Sequence, residues 1–316
     1  IMTIVITDGY TLNPGDLDWK SIGSPGNVIV HERTADKDLY ERCKDAEIIL
    51  TNKVAFTRET IGKLHKLKLI CVTATGYNII DTIAAKEKGV IVCNVPAYGT
   101  ASVAQHTIAL LLELSNNISI HAQSVANGEW VIAKDWSYTK APVIELAGKT
   151  LGIVGMGNIG KQVAKIAAAL GMHILYNSRT DKNLEGYTFV DIPTLFTKSD
   201  VVSLHCPLTA ENTGFINKEL LMKMKPSASI INTARGLLIN EDDLAEALNN
   251  EVIAGAALDV LSTEPPKARN PLLLAKNCVI TPHNAWISKE ARERIMNITA
   301  DNIKAFTEGN PINRVA

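Results

Sequence analysis

Seven histidines are spread along the chain, and two of them end apolar runs: His205, after Val201-Val202-Ser203-Leu204, and His283, after Val279-Ile280-Thr281-Pro282. Imidazole has an ordinary pKa close to neutrality, so a histidine held at a strand end is suited to move a proton beside a bound substrate. His106 falls in an apolar helical stripe and His173 at a strand edge, where packing roles are expected. A third chemical feature has almost no side chains: Gly155-Met156-Gly157-Asn158-Ile159-Gly160. In that spacing Gly155 makes a tight turn, Gly157 lets a pyrophosphate approach the backbone, and Gly160 lets a helix pack closely on a strand. A dinucleotide beside a proton donor is the apparatus of nicotinamide hydride transfer, in which a proton accompanies the hydride.

These residues need particular elements to hold them. The glycine loop follows a short apolar strand at 151–154 and precedes helical spacing at 161–170, so the first N–H groups of that helix face the phosphates. Gly148-Lys149-Thr150 resembles the end of a Walker loop, but Val143 stands where its first glycine belongs and the tripeptide precedes its strand. Toward the N-terminus, β-branched runs at 4–6, 28–30, 48–50, 69–72 and 90–92 alternate with polar helical stretches such as 38–43 and 58–67. Further runs follow at 174–176, 201–204, 230–232, 254–260 and 279–281. The pattern is that of an α/β chain with two open parallel-sheet, Rossmann-like units covered on both faces. In such sheets ligands bind outside the carboxyl ends of the strands, where His205, Cys206 and Pro207 line a cofactor and His283 projects. The turn 73–78, containing Thr75 and Gly76, holds the same position in the first unit and suits either a carboxylate or an ordinary turn.

Between the units a helix begins after Gly99, with Ser102 expected as N-cap and Val103, Thr107, Leu110, Leu111 and Leu114 on one stripe. The aromatic arm at 130–138 that follows is suited to burial against a second subunit or against its own chain. A last helix at 288–306 stops at Gly309-Asn310-Pro311.

Composition narrows the partners. With 32 basic and 33 acidic residues there is no electrostatic footprint for nucleic acid or an anionic membrane, so a small molecule is expected. The five scattered cysteines make neither a disulfide framework nor a zinc site, and free thiols fit a reducing cytoplasm. The apolar stretch at 4–6 meets Asp8-Gly9 too soon for a signal peptide, and Ile1 ahead of Met2 is read as an addition to the natural start. For the cofactor, the position about 20 residues beyond the glycines, where an acid binds the ribose of NAD, is Asn177, followed by Ser178, Arg179 and Thr180. Without a carboxylate to repel a 2′-phosphate, and with Arg179 and two hydroxyls to bind one, NADP(H) is expected over NAD(H). Asp181 stands close enough to serve NAD(H) instead.

Three further pieces, Asn232-Thr233-Ala234-Arg235-Gly236, Leu258-Asp259-Val260 with Glu264-Pro265-Pro266, and the Pro282-His283 turn, closely resemble the D-isomer-specific 2-hydroxyacid dehydrogenase family. The resemblance covers nearly the whole chain. Asp135-Trp136, the run 259–266 and Ala285-Trp286 look most like its glycerate dehydrogenase and hydroxypyruvate reductase branch. The resemblance implies that Arg235 grips the substrate's carboxylate and carbonyl oxygen, that Glu264 bonds His283, and that His283 transfers the proton. A guanidinium can hold a carboxylate through two donors, and a carboxylate beside imidazole favours its protonated form. It further implies backbone donors to the substrate carboxylate at Thr75 and Gly76, Asp259 near the nicotinamide carboxamide, and Thr233 and Ala234 along the cofactor. The implied domains are a cofactor domain, 99–286, inserted into a flavodoxin-like substrate domain, 1–98 with 287–316. The implied protein is a cytoplasmic homodimer, joined through its cofactor domain and holding no metal, that reduces hydroxypyruvate or glyoxylate to the D-2-hydroxy acid. Asn177 and Asn284 depart from the family's usual acid and apolar residues. The alternatives are another 2-oxo acid as substrate, or a nucleotide-sensing partner protein on the same scaffold.

Overall fold

The computed structural model describes residues 2–23 and 26–316, so the reading of Ile1 lies outside the described residues. The chain divides into two compact units, one running up to Gly99 and resuming at Ile287–Ala316, the other Thr100–Trp286. Each is an open parallel α/β sheet, as the alternation of short apolar runs and helical stretches implied.

The first unit has β1 (Met2–Ile6), β2 (Gly26–Val30), β3 (Ile48–Thr51), β4 (Leu69–Val72) and β5 (Ile91–Cys93) in the order β2-β1-β3-β4-β5, the flavodoxin-like arrangement. β3 and β4 are buried along their whole length because helices cover both faces, which is why they read as unbroken apolar runs. The helix expected through residue 67 spans Arg58–Lys63 and ends where Leu64 leaves helical geometry. The returning helix Lys289–Thr307 is capped by Ser288 and places Ile303 in the same core as Ile4, Ile48 and Leu69. Its Arg292 is buried and bonds both Asp16 carboxylate oxygens at 2.7 Å. That pairing compensates the cost of burying the charge.

The second unit comprises β6 (Thr150–Val154), β7 (His173–Asn177), β8 (Thr188–Phe189), β9 (Val201–Leu204), β10 (Ser229–Asn232), β11 (Gly255–Leu258) and β12 (Cys278–Ile280). Their order is β12-β11-β10-β9-β6-β7-β8. Strand order reverses between β6 and β9, the switch point of a Rossmann sheet, where a crevice opens at the carboxyl ends. Side chains alternate between two cores: Ile230, Ala256 and Leu258 enter one, Ile231 and Ala257 the other. The second of these cores also takes Ala104, Ile108 and Leu111 from the helix Thr100–Asn116. Ser102 is therefore a residue within this helix and not its cap, and its hydroxyl bonds the Ala285 carbonyl at 2.7 Å. A further helix, Ile118–Ala126, precedes the aromatic arm and is separated from its predecessor by Asn117 at φ 50°. Among the described residues no helix is long and apolar enough to cross a membrane.

Candidate active site

The carboxyl ends of the second sheet gather most of the residues singled out from the sequence. At the end of β6, Gly155 has φ +100°, and a Cβ there would lie 2.4 Å from the Cys206 nitrogen. Only glycine permits the loops after β6 and β9 to meet in this way. A Cβ on Gly160 would lie 2.2 Å from the Gly155 carbonyl oxygen, so the helix Asn158–Ala169 can start close against the turn. Gly157, by contrast, faces open space, and no side chain caps the helix it precedes. The first N–H groups of that helix, at Asn158, Ile159 and Gly160, thus remain for an anionic ligand, and the bare backbone at Gly157 gives a pyrophosphate room to reach them. Met156 contributes only its backbone to this loop, because its side chain is buried in the core.

β7 ends at Asn177, whose carbonyl accepts the Gly155 N–H at 2.9 Å and whose side-chain amide donates to the Val190 carbonyl at 2.7 Å. Ser178 donates to the Thr180 carbonyl at 2.6 Å, which tightens the turn and leaves Arg179 exposed beside Thr180. Asp181 follows the turn and is exposed. Its carboxylate accepts the Tyr176 hydroxyl and, at 2.8 Å, the Asn183 N–H, and the hydroxyl bond draws its carboxyl below the usual carboxylate range.

After β9, His205 pairs with the Ser203 hydroxyl at 2.8 Å, and burial pushes its pKa down to about 4. It is therefore neutral near pH 7 and unsuited to serve as the acid of a reduction. Burial also raises the Cys206 thiol, which keeps it protonated, and Pro207 continues this edge of the crevice.

β10, β11 and β12 are neighbours, so the turns that follow them lie side by side, about 5 Å per strand apart. After β10, the Asn232 side chain donates to the Arg235 carbonyl and accepts the Ala234 N–H, both at 2.9 Å, fixing the turn that carries Thr233, Ala234 and Arg235. Arg235 is exposed and spends one donor on the Ala234 carbonyl at 2.8 Å, so most of its guanidinium fork is left for a ligand. After β11, Glu264 accepts the Leu261 N–H at 3.0 Å with one oxygen and meets His283 Nδ1 at 2.5 Å with the other. A carboxylate can only accept, so Nδ1 carries the proton of this bond, while Nε2 has no partner among the described residues.

His283 sits at φ +52°, a conformation a non-glycine residue keeps only when its surroundings impose it. Asp259 imposes it. Its backbone carbonyl accepts the His283 N–H at 2.9 Å, and its buried carboxylate accepts the N–H groups of Asn284 at 3.0 Å and Ala285 at 2.9 Å. Oδ1 also accepts the Thr281 hydroxyl at 2.6 Å.

Thr75 and Gly76 belong to the first unit, in the turn after β4, where the Thr75 hydroxyl bonds the Val95 carbonyl at 2.8 Å and its carbonyl accepts the Asn94 side chain at 2.8 Å. Those bonds fix the turn's backbone. Sequence reasoning gave Ser102 a capping role and His106, Thr107 and Thr281 places in apolar runs, and missed the hydrogen bonds by which they hold the strand ends of the second unit. For Ser102, His106 and Thr107 the available signal was the recurrence of polar residues within an otherwise apolar helix.

Comparison with known proteins gives consistent relatives. A model described as the D-isomer specific 2-hydroxyacid dehydrogenase NAD binding domain matches residues 108–285. The chain is 48% identical to a hydroxypyruvate reductase of Blautia hydrogenotrophica over 99% of both chains. It is 42% identical to a glycerate dehydrogenase of Methylorubrum extorquens over 88% of both. Among solved structures, an acyclic imino acid reductase in complex with NADPH and D-Arg is 32% identical over 100% of both chains, with a TM-score of 0.87.

Proposed function

The chain belongs to the D-isomer-specific 2-hydroxyacid dehydrogenase family, and from that premise we propose how its residues divide the work of reducing a small 2-oxo acid. It is an oxidoreductase acting on a CH–OH group with a nicotinamide cofactor, and hydroxypyruvate and glyoxylate are the substrates its relatives support. The observation that carries the reading is the Glu264–His283 pair, with Nε2 left for substrate and Arg235 on the turn two strands away.

When bound, the reduced cofactor supplies the hydride to the carbonyl carbon. Arg235 holds the substrate carboxylate and draws electron density toward the carbonyl oxygen through its planar donors. His283 donates its Nε2 proton to that oxygen as the alkoxide develops, and Glu264 accepts the Nδ1 hydrogen and holds the ring in place. Thr75 and Gly76 offer backbone N–H groups to the carboxylate, and Asp259, Thr233 and Ala234 flank the cofactor. In this reading Thr100–Trp286 is the cofactor domain and the discontinuous unit binds the substrate.

NADP(H) is preferred over NAD(H), because Arg179 is exposed where a 2′-phosphate falls in this fold and Asp181 has one carboxylate oxygen, Oδ1, engaged by Tyr176 and Asn183. The working form is a homodimer joined through the cofactor domain, supported by the exposed arm, in which Val131 is 88% and Trp136 89% accessible. Five free cysteines suit a cytoplasmic setting.

The test is a steady-state panel of hydroxypyruvate, glyoxylate, pyruvate and bulkier 2-oxo acids, with Arg235→Ala alongside the natural protein. Arg235→Ala is expected to abolish turnover with little loss of cofactor binding. Natural activity in the purified variant refutes the role of Arg235, and no activity on any acid of the panel refutes the reading as a whole.

A further inference from the structure

We infer that the helix Thr100–Asn116 positions both reacting turns, through Thr107 for the Arg235 turn and through His106 and Thr281 for the His283 turn. This rests on the catalytic reading of Arg235 and His283 and assigns them a shared support.

The directions of the hydrogen bonds follow from the number of protons. The Thr107 hydroxyl donates to the Val103 carbonyl at 2.8 Å, one turn back in its own helix. Its single proton is then spent, so at 2.9 Å it must accept from the Thr233 hydroxyl. Thr233 is thereby tied to the helix two residues before Arg235. The Thr281 hydroxyl donates to Asp259 at 2.6 Å, so at 3.0 Å it must accept from His106, whose Nε2 therefore carries hydrogen. His106 thus acts as the first donor of a chain through Thr281 to the Asp259 carboxylate, which in turn grips the N–H groups of Asn284 and Ala285. Ser102, one helical turn before His106, adds a bond to the Ala285 carbonyl at 2.7 Å.

Thr107, Thr233 and Asp259 are all buried, so these bonds form where water does not compete and lost partners are not easily replaced. Consecutive residues of one helix, His106 and Thr107, reach the ends of β12 and β10, the two strands whose turns carry His283 and Arg235. A rigid helix that fixes both turns fixes the spacing between proton donor and carboxylate grip, and small displacements of such groups cost large factors in rate.

The experiment uses the full chain with hydroxypyruvate as substrate and compares Thr107→Val and Thr281→Val with the corresponding Ser variants, which keep the hydroxyl. Thr281→Val is expected to lower kcat about tenfold with KM nearly kept, and Thr107→Val to raise KM for the oxo acid about fivefold with kcat nearly kept. The Ser variants should lie within about twofold of the natural protein, since the hydrogen bond survives. Should a valine variant not fold, Cys, a weak hydrogen-bonding isostere of Ser, is expected to give the same split. Unchanged kcat and KM in both valine variants, or Ser variants as impaired as the valines, overturns the positioning role. His283→Asn and Arg235→Lys serve as references. If they keep the natural rate, the catalytic reading falls and this inference with it; if they lose it while the threonine variants do not, the inference falls alone.

Discussion

The Tyr176 hydroxyl donates to the Asp181 carboxylate, turning the acid nearest the end of β7 back onto its own strand. The Asn177 amide is committed to the Val190 carbonyl, and Arg179 is an exposed cation just beyond the strand end near which a Rossmann sheet holds the adenosine ribose. Arg179→Ala is expected to lower kcat/KM with NADPH by about ten- to a hundredfold, the equivalent of a charged hydrogen bond of about 1.5–3 kcal/mol, and to change NADH little. Initial rates at varied cofactor decide it. A tenfold or greater preference of the natural protein for NADH refutes the assignment.

His205 makes the acid side of the stability curve testable. Its folded pKa, about 4, lies below the ordinary histidine value, so the fold favours the neutral ring. The unfolded chain binds the extra proton first. This contribution is therefore complete above about pH 6.5 and lost as pH falls toward 4, amounting to at most about 3 kcal/mol. His205→Gln, which cannot charge, should flatten the dependence of the urea midpoint on pH across that window. An equally steep curve in the variant means that other groups carry the acid lability.

Much of this arrangement was legible in the sequence, for identifiable reasons. Gly155 and Gly160 announce themselves because close backbone approach leaves no other residue type, and β3 and β4 because strands buried on both faces cannot alternate with polar residues. Long-range polar pairing leaves no such trace. Ser102 looks like a cap because serine usually is one, yet its partner, the Ala285 carbonyl, is 183 positions away. Likewise the bond between the Tyr176 hydroxyl and Asp181, five residues on, has no counterpart in any periodic pattern. The His283–Glu264 pair, 19 residues apart, was legible only through the family resemblance, because no periodicity encodes the turns that join it.

Asn284 supplies a test of substrate choice. Its backbone N–H is held by Asp259, while its side-chain Oδ1 is buried with no hydrogen-bond partner among the described residues. Leaving such an atom unmatched costs about 1–3 kcal/mol, which favours a polar partner in the loaded site, and the 3-hydroxyl of hydroxypyruvate has the required chemistry. Asn284→Val should lower the ratio of kcat/KM for hydroxypyruvate to that for glyoxylate, which has no third carbon, by about tenfold. An unchanged ratio assigns the amide to the fold alone.

The arm offers the last test. The Trp130 indole donates to the Trp136 carbonyl at 3.0 Å, and Tyr138 bonds Ser124 at 2.7 Å, so the segment has a defined shape and is not a loose tether. Yet it presents Val131, Ile132 and Trp136 to solvent, and the preceding helix exposes Ile118 and Val125. Large apolar side chains exposed on an ordered segment are the kind a subunit interface buries, where a single tryptophan commonly contributes roughly 2 kcal/mol or more. The natural protein is therefore expected to sediment at twice its 34.2 kDa chain mass. Trp136→Arg combined with Val131→Asp should raise the dimer dissociation constant at least about thirtyfold, shifting micromolar samples toward monomer, because the partner face would have to desolvate two unpaired charges. The same sedimentation run gives the opposing outcome: a natural protein that is monomeric at tens of micromolar removes the dimer and leaves the arm as a surface for some other partner.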